Sequence, residues 1–142
     1  MKSIASVGLD VHKATTITHI VTRDGQQPLD RFVIPTEYSA YRKYFTRWSA
    51  LYDLTCYYEA GGVGFTIYRW LTELGIPCRV VAPSSIPRAS GDRVKTDRRD
   101  ARNLVNQVRA GGGTFVHVPT PTRHFFRLEG FRVFDNCFHI GD

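Results

Sequence analysis

"SIASVGLDVHKATTITHIVTRDGQQPLDRFVIP" covers residues 3–35 and falls into three alternating runs. In the first run Ala5, Val7, Leu9 and Val11 point one way while Ser6, Gly8 and Asp10 point the other, which is the period of a strand. Asp10 therefore shares a face with small residues. "TTITHIVT" and "LDRFVIP" are two further strands, and "RDGQQ" between them carries Asp24-Gly25, a hairpin turn signal. Three strands joined this way predict an antiparallel meander.

Downstream the period changes. "PTEYSAYRKYFTRW" has Thr36 as a candidate N-cap and Tyr41, Tyr44, Phe45 and Trp48 at helical spacing. "YDLTCYYEA" is rich in β-formers and ends at Glu59; Val63, Ile67, Trp70, Leu71 and Leu74 then form a helical stripe closed by Gly75 and Pro77. Tyr57 and Tyr58 read as core or sheet-face packing. "CRVVAP" is another short strand, and "SSIPRASGDRV" reads as an exposed loop. Strands followed by helices alternating with strands predict an α/β domain with a mixed sheet and flanking helices.

The loop leads into "KTDRRDARNLVNQVRAGG", residues 95–112. At about 100° per residue, Asp97, Ala101, Leu104, Val105 and Val108 fall on one side of a helix with Asp100 at its edge. Arg98, Arg99, Arg102, Asn106 and Arg109 take the other side. Both carboxylates are thus expected on the inward helix face. Gly111 to Gly113 end the helix, and "FVHV" is either an edge strand or a linker. After Pro121 the chain has five phenylalanines, no clear period and no helix signal, so residues 1–120 read as one domain and 121–142 as an atypical tail.

Length and charge bound the function. A chain of 142 residues fits one ordinary domain. Its net charge of +6 and pI near 9.5, with arginines clustered over residues 88–109, create a field that attracts polyanions such as nucleic acid. Cys56, Cys78 and Cys137 are odd in number, and the first two sit in apolar runs like buried free thiols, which implies a reducing compartment. With no apolar run of membrane-spanning length and no signal-peptide pattern, the expectation is a cytoplasmic protein without membrane attachment.

Four acidic residues carry the chemistry. Singly, Asp10 can cap a turn, Glu59 can mark the solvated end of a strand, and Asp97 and Asp100 can complement a helix dipole or pair with arginines. Together they suit one site, because burying converging carboxylates costs several kcal/mol unless positive charge compensates. A divalent cation supplies it: Mg²⁺ takes oxygen ligands, and two ions about 3.5 to 4 Å apart serve phosphoryl transfer. The arginines then hold a phosphate backbone beside the metals. HExxH and Walker-A motifs are absent, and "GGVGF" lacks dinucleotide-fingerprint spacing. His12 and Lys13 follow Asp10 closely, either reaching a phosphate or lying at the surface; His19, His117, His124 and His139 read as structural or solvated.

"GLDVHK" (residues 8–13), "YEAGG" (58–62) and "KTDRRDA" (95–101) resemble the three acidic motifs of the DEDD-type transposases of bacterial insertion sequences. That group includes the Piv and MooV invertases and is called the IS-one-ten family. The resemblance runs from Ile4 to Pro121, with "ELGIPCRVVAPSSIPR" before the last motif and "FVHVPTP" after it. It implies a RuvC-like, RNase H-like fold in which Asp10, Glu59, Asp97 and Asp100 form the catalytic tetrad binding Mg²⁺ or Mn²⁺. It also implies DNA as partner, contacted here by Lys13, Arg88, Arg93, Lys95, Arg98, Arg99 and Arg102, with an element-encoded guide RNA and homo-oligomers in full-length members. Members of the group carry a second, C-terminal domain with a nucleophilic serine. Where the family's chain would continue into a charged helix after "VPTP", this chain has the phenylalanine-rich tail, so a truncated or frameshifted end is expected, and with it incomplete recombination by this polypeptide alone.

The reading that follows is the N-terminal catalytic-type domain of a transposase. Its rivals are a nucleic-acid-binding module without catalysis and an actin-like ATPase, for which "GLDVHKATT" could pass as a phosphate loop. The ATPase needs a second phosphate loop and a much longer chain.

Overall fold

A computed structural model describes residues 2–83 and 100–119. The first three strands follow the alternating runs: β1 (Ser3–Val11), β2 (Thr15–Thr22) and β3 (Leu29–Pro35). β1 pairs antiparallel with β2, and β2 with β3, giving the expected meander. Its second turn closes on Gly25, at φ +88° with its N–H donating to Thr22 O, while the Thr22 hydroxyl donates to the Asp24 carboxylate and lowers its pKa. That φ lies in the left-handed region where glycine is at no disadvantage.

Helix α1 (Tyr38–Ser49) leads to β4 (Tyr52–Glu59), and α2 (Thr66–Glu73) leads to β5 (Cys78–Val81). α3 (Ala101–Arg109) then precedes β6 (Phe115–Val116), so "FVHV" supplies a two-residue edge strand rather than a linker. The sheet order is β3-β2-β1-β4-β5-β6; β4 runs parallel to β1, β5 parallel to β4, and β6 antiparallel to β5. This is the expected mixed α/β sheet, with an antiparallel three-strand meander and flanking helices.

The two faces are covered unequally. Ala5, Val7, Leu9 and Val11 are essentially inaccessible and pack with Tyr41 and Phe45 of α1 and Ile67 and Leu71 of α2. Each buried large apolar side chain contributes roughly 1.5–3 kcal/mol to folding. On the same face the β2 threonines meet two buried tyrosines: Thr16 Oγ1 shares a hydrogen bond with Tyr41 OH at 2.6 Å, and Thr18 Oγ1 with Tyr44 OH at 2.7 Å. Burial pushes both phenol pKa values up. Thr36 does not cap α1. Its hydroxyl donates to His12 O at 2.7 Å, and the cap position falls to Glu37, whose side chain makes no capping bond. The hydroxyl thus ties the β1–β2 turn to the start of α1.

Among the described elements, α3 alone packs on the opposite face, against β1, β2, β3 and β4. Its Ala101, Leu104 and Val105 are buried, while Arg102, Asn106 and Arg109 are exposed, as the helical spacing predicts. Cys56 and Cys78 are buried free thiols, and burial raises both pKa values. No helix among the described residues is long and apolar enough to cross a membrane.

Candidate functional site

The site begins with strand parity. Gly8 and Asp10 point toward α3, away from the main core, because Ala5, Val7, Leu9 and Val11 take the other side. β1 and β4 are parallel, with Leu9 opposite Tyr58; one residue further, Asp10 lies opposite Glu59. Neighbouring strands are about 4.8 Å apart and opposed residues share a face, so two acidic side chains stand side by side at the carboxyl ends of two parallel strands. Both are buried, Asp10 at 9% and Glu59 at 7% exposure. His12 Nε2 approaches Asp10 Oδ2 at 3.1 Å from the solvent side.

α3 packs over this face. A Cβ on Gly8 would lie 2.1 Å from Ala101 O and 3.0 Å from Val105 Cβ, so the helix can settle here only on a glycine. Asp100 immediately precedes Ala101. It is not on the inward face of the helix, as the 100° projection expected, because α3 starts one residue later and Asp100 is its N-cap. Extended backbone at φ −73°, ψ 169° turns its exposed side chain back so that Oδ1 accepts from Asn103 N–H at 2.8 Å. Such a cap stabilises a helix by about 1 kcal/mol.

The predicted tetrad is thus brought together in part. Asp10 and Glu59 are neighbours, and Asp100 sits at the helix end above their face; Asp97 lies outside the described residues. Among the described residues no three His, Cys, Asp or Glu side chains converge as ligands of one ion. The donors that do adjoin are carboxylate oxygens, which suit a hard cation such as Mg²⁺, and two buried anions side by side repel unless such a charge is near. Of the predicted phosphate-contacting residues, Lys13 and Arg102 are exposed, at the β1–β2 turn and on the outer side of α3. Arg88, Arg93, Lys95, Arg98 and Arg99 lie outside the described residues.

One pair escaped the sequence reading. His19, expected to be structural or solvated, is 1% exposed and stands opposite Gly8 on the α3 face. Its Nδ1 is 2.8 Å from Oδ1 of Asp30, a residue of the edge strand at the point where the β2–β3 register shifts and Arg31 takes φ +28°. With Ile17, Arg31, Asp100, Ala101 and Arg102 the pair lines a cavity of about 230 Å³. The sequence signal for it was the alternation Ile17, His19, Val21, which puts the imidazole on the face of Asp10. Two larger clefts, of about 620 and 490 Å³, lie at the other end of β1 around Lys2 and Ile4, away from the carboxylates.

Comparison with known proteins agrees with the motifs. A family of DEDD transposases of IS110 elements, described as Transposase, matches residues 7–135, past the Pro121 boundary. The transposase of insertion sequence element IS1533 from Leptospira borgpetersenii is 35% identical over 114 residues, covering 78% of this chain and 32% of that protein. A putative transposase, y4qE, from Sinorhizobium fredii is 58% identical over 62 residues, 44% of this chain and 16% of that one. The chain therefore spans about a third or less of the curated relatives it matches. Among solved structures, a foamy viral protease-reverse transcriptase in complex with double-stranded DNA aligns over 61% of this chain and 21% of that one, with 13% identity and TM-score 0.39, too loose a likeness to bear on function. The profile over residues 7–135, the acidic motifs and the sheet that carries them make this chain a member of the IS110-type DEDD transposase family.

Proposed function

We propose that this domain acts in phosphoryl transfer on DNA during insertion-sequence transposition, with Asp10, Glu59, Asp97 and Asp100 holding Mg²⁺ or Mn²⁺. The observation that carries the reading is the side-by-side burial of Asp10 and Glu59 at the ends of parallel strands, beneath the N-terminus of α3. A bound divalent ion there supplies Lewis-acid stabilisation of charge on the attacking and leaving phosphate oxygens. The chain's own contribution is positional. β1 and β4 set the two carboxylates at one height, α3 screens them from bulk water on one side, and Lys13, Arg102 and the arginines of residues 88–99 attract the phosphate backbone.

The test joins metal binding to cleavage. Calorimetric titration with Mn²⁺ should give saturable binding that Asp10→Asn abolishes, and a supercoiled plasmid should be nicked in a metal-dependent way by the wild-type chain only. Metal affinity unchanged by Asp10→Asn would remove the assignment. A second reading is a DNA-binding module without chemistry of its own. Metal binding and DNA binding without nicking selects that reading. Oligomerisation and guidance by an element-encoded RNA belong to the same proposal, and added guide RNA should then restore or sharpen DNA binding.

A further inference from the structure

α3 covers β1 to β4 but, among the described elements, does not reach β5 or β6. On that part of the α3 face three side chains from three strands form a layered group. Tyr57 is opposite Arg79, and Glu59 is opposite Val81, which is opposite Phe115. The Tyr57 and Phe115 rings are stacked with centroids 6.2 Å apart, and the Arg79 guanidinium carbon lies 3.9 Å over the Phe115 ring. Arg79 is exposed and Phe115 is 37% exposed. Phe115 and Glu59 occupy one row, two strand spacings apart, or roughly 10 Å.

We propose that Tyr57, Arg79 and Phe115 are a stacking platform for an unpaired base of the DNA strand whose phosphate lies at Asp10 and Glu59. The inference rests on the reading of the carboxylates as a DNA-acting site. Its own support is chemical: π-faces and a guanidinium plane are what hold extruded bases, and they do so independent of sequence. A positive charge on the platform suits the polyanionic strand, and the net charge of +6 points the same way. Double-stranded DNA keeps its bases in the duplex stack, so the platform selects melted or single-stranded segments.

The experiment uses the full chain and short single-stranded DNA oligonucleotides carrying one 2-aminopurine. Binding should quench the probe, and Phe115→Ala should abolish the quenching and weaken affinity about tenfold, with Phe115→Trp restoring both. The same substitution should leave binding of an oligonucleotide with abasic sites unchanged. Arg79→Ala should weaken both oligonucleotides and reduce the slope of log affinity against log salt by about 0.7. An unquenched probe on a strand that still binds would overturn the platform while leaving the metal site intact. Equal losses on normal and abasic strands, or quenching confined to an RNA oligonucleotide of the same sequence, would also overturn it. Thermal unfolding of each variant confirms that the fold survives.

Discussion

Gly8 lies directly beneath Ala101: a side-chain carbon on Gly8 would meet the Ala101 carbonyl oxygen at 2.1 Å, inside any permitted contact. The obstacle is backbone at the first residue of α3, so it cannot swing aside as a flexible side chain would. Gly8→Ala should force the helix off the sheet and destabilise the domain by roughly 1–3 kcal/mol. Urea unfolding reads this as a lower midpoint with an unchanged slope. A midpoint equal to wild type would mean that α3 does not rest on β1.

Asp10 and Glu59 should couple stability to divalent metal, a dependence that Asp10→Asn and Glu59→Gln should remove. In excess MgCl₂ the wild type should gain Tm and the variants should not, since only a ligand that binds the folded state stabilises it. A wild type whose Tm ignores MgCl₂ and MnCl₂ would contradict the prediction.

Asp100 has two separable roles. As N-cap it is replaceable by serine, so Asp100→Ser should unfold like wild type in EDTA whereas Asp100→Ala should lose about 1 kcal/mol. As metal ligand it is not replaceable by a hydroxyl, and Asp100→Ser should weaken Mn²⁺ binding measurably. Full metal affinity in Asp100→Ser would leave Asp100 a cap alone.

The buried Thr18–Tyr44 hydrogen bond makes a double-mutant cycle informative. Thr18→Val strands the Tyr44 hydroxyl, which is expected to cost about 1–3 kcal/mol, and Tyr44→Phe costs about 1 kcal/mol. The double variant should lose less than the sum of the two, by about 1 kcal/mol, because neither polar group is then left alone. Strict additivity in equilibrium unfolding would show that the two hydroxyls do not interact.

Alkaline pH should unfold the domain. Burial raises Cys56, Cys78, Tyr41, Tyr44 and Tyr58 above their ordinary values of 9.0 and 10.0, so the folded state keeps protons that the unfolded state releases. Stability from these groups is fully present below about pH 9 and is lost as pH rises through 9 and 10, where the unfolded chain binds fewer protons. Denaturant midpoints measured from pH 7 to 10.5 should therefore fall steadily above 9. A flat profile over that range would contradict the burial of these groups.

Much of this molecule could be read in one dimension. Alternation over residues 3–35 placed β1, β2 and β3 at the bounds they occupy, assigned Asp10 to the face away from Val7 and Leu9, and sorted α3 into Leu104 and Val105 within and Arg102 and Arg109 without. Such patterns are legible because side-chain direction follows from backbone period alone, two residues in a strand and 3.6 in a helix. The family was legible for a different reason, in three short acidic motifs that kept their order and surroundings.

Other features depended on contacts between distant segments. That Asp10 lies opposite Glu59 follows from a parallel register between β1 and β4, which no local period specifies. Asp100 became a cap because α3 starts at Ala101, where its backbone comes down on Gly8. His19 found Asp30 through a register shift in the edge strand, and Phe115 found Arg79 and Tyr57 through pairing of β6 with β5. A linear pattern states which way a residue faces; which residues it then meets is set by how the layers fit, since close packing admits few registers and rejects the rest by steric overlap.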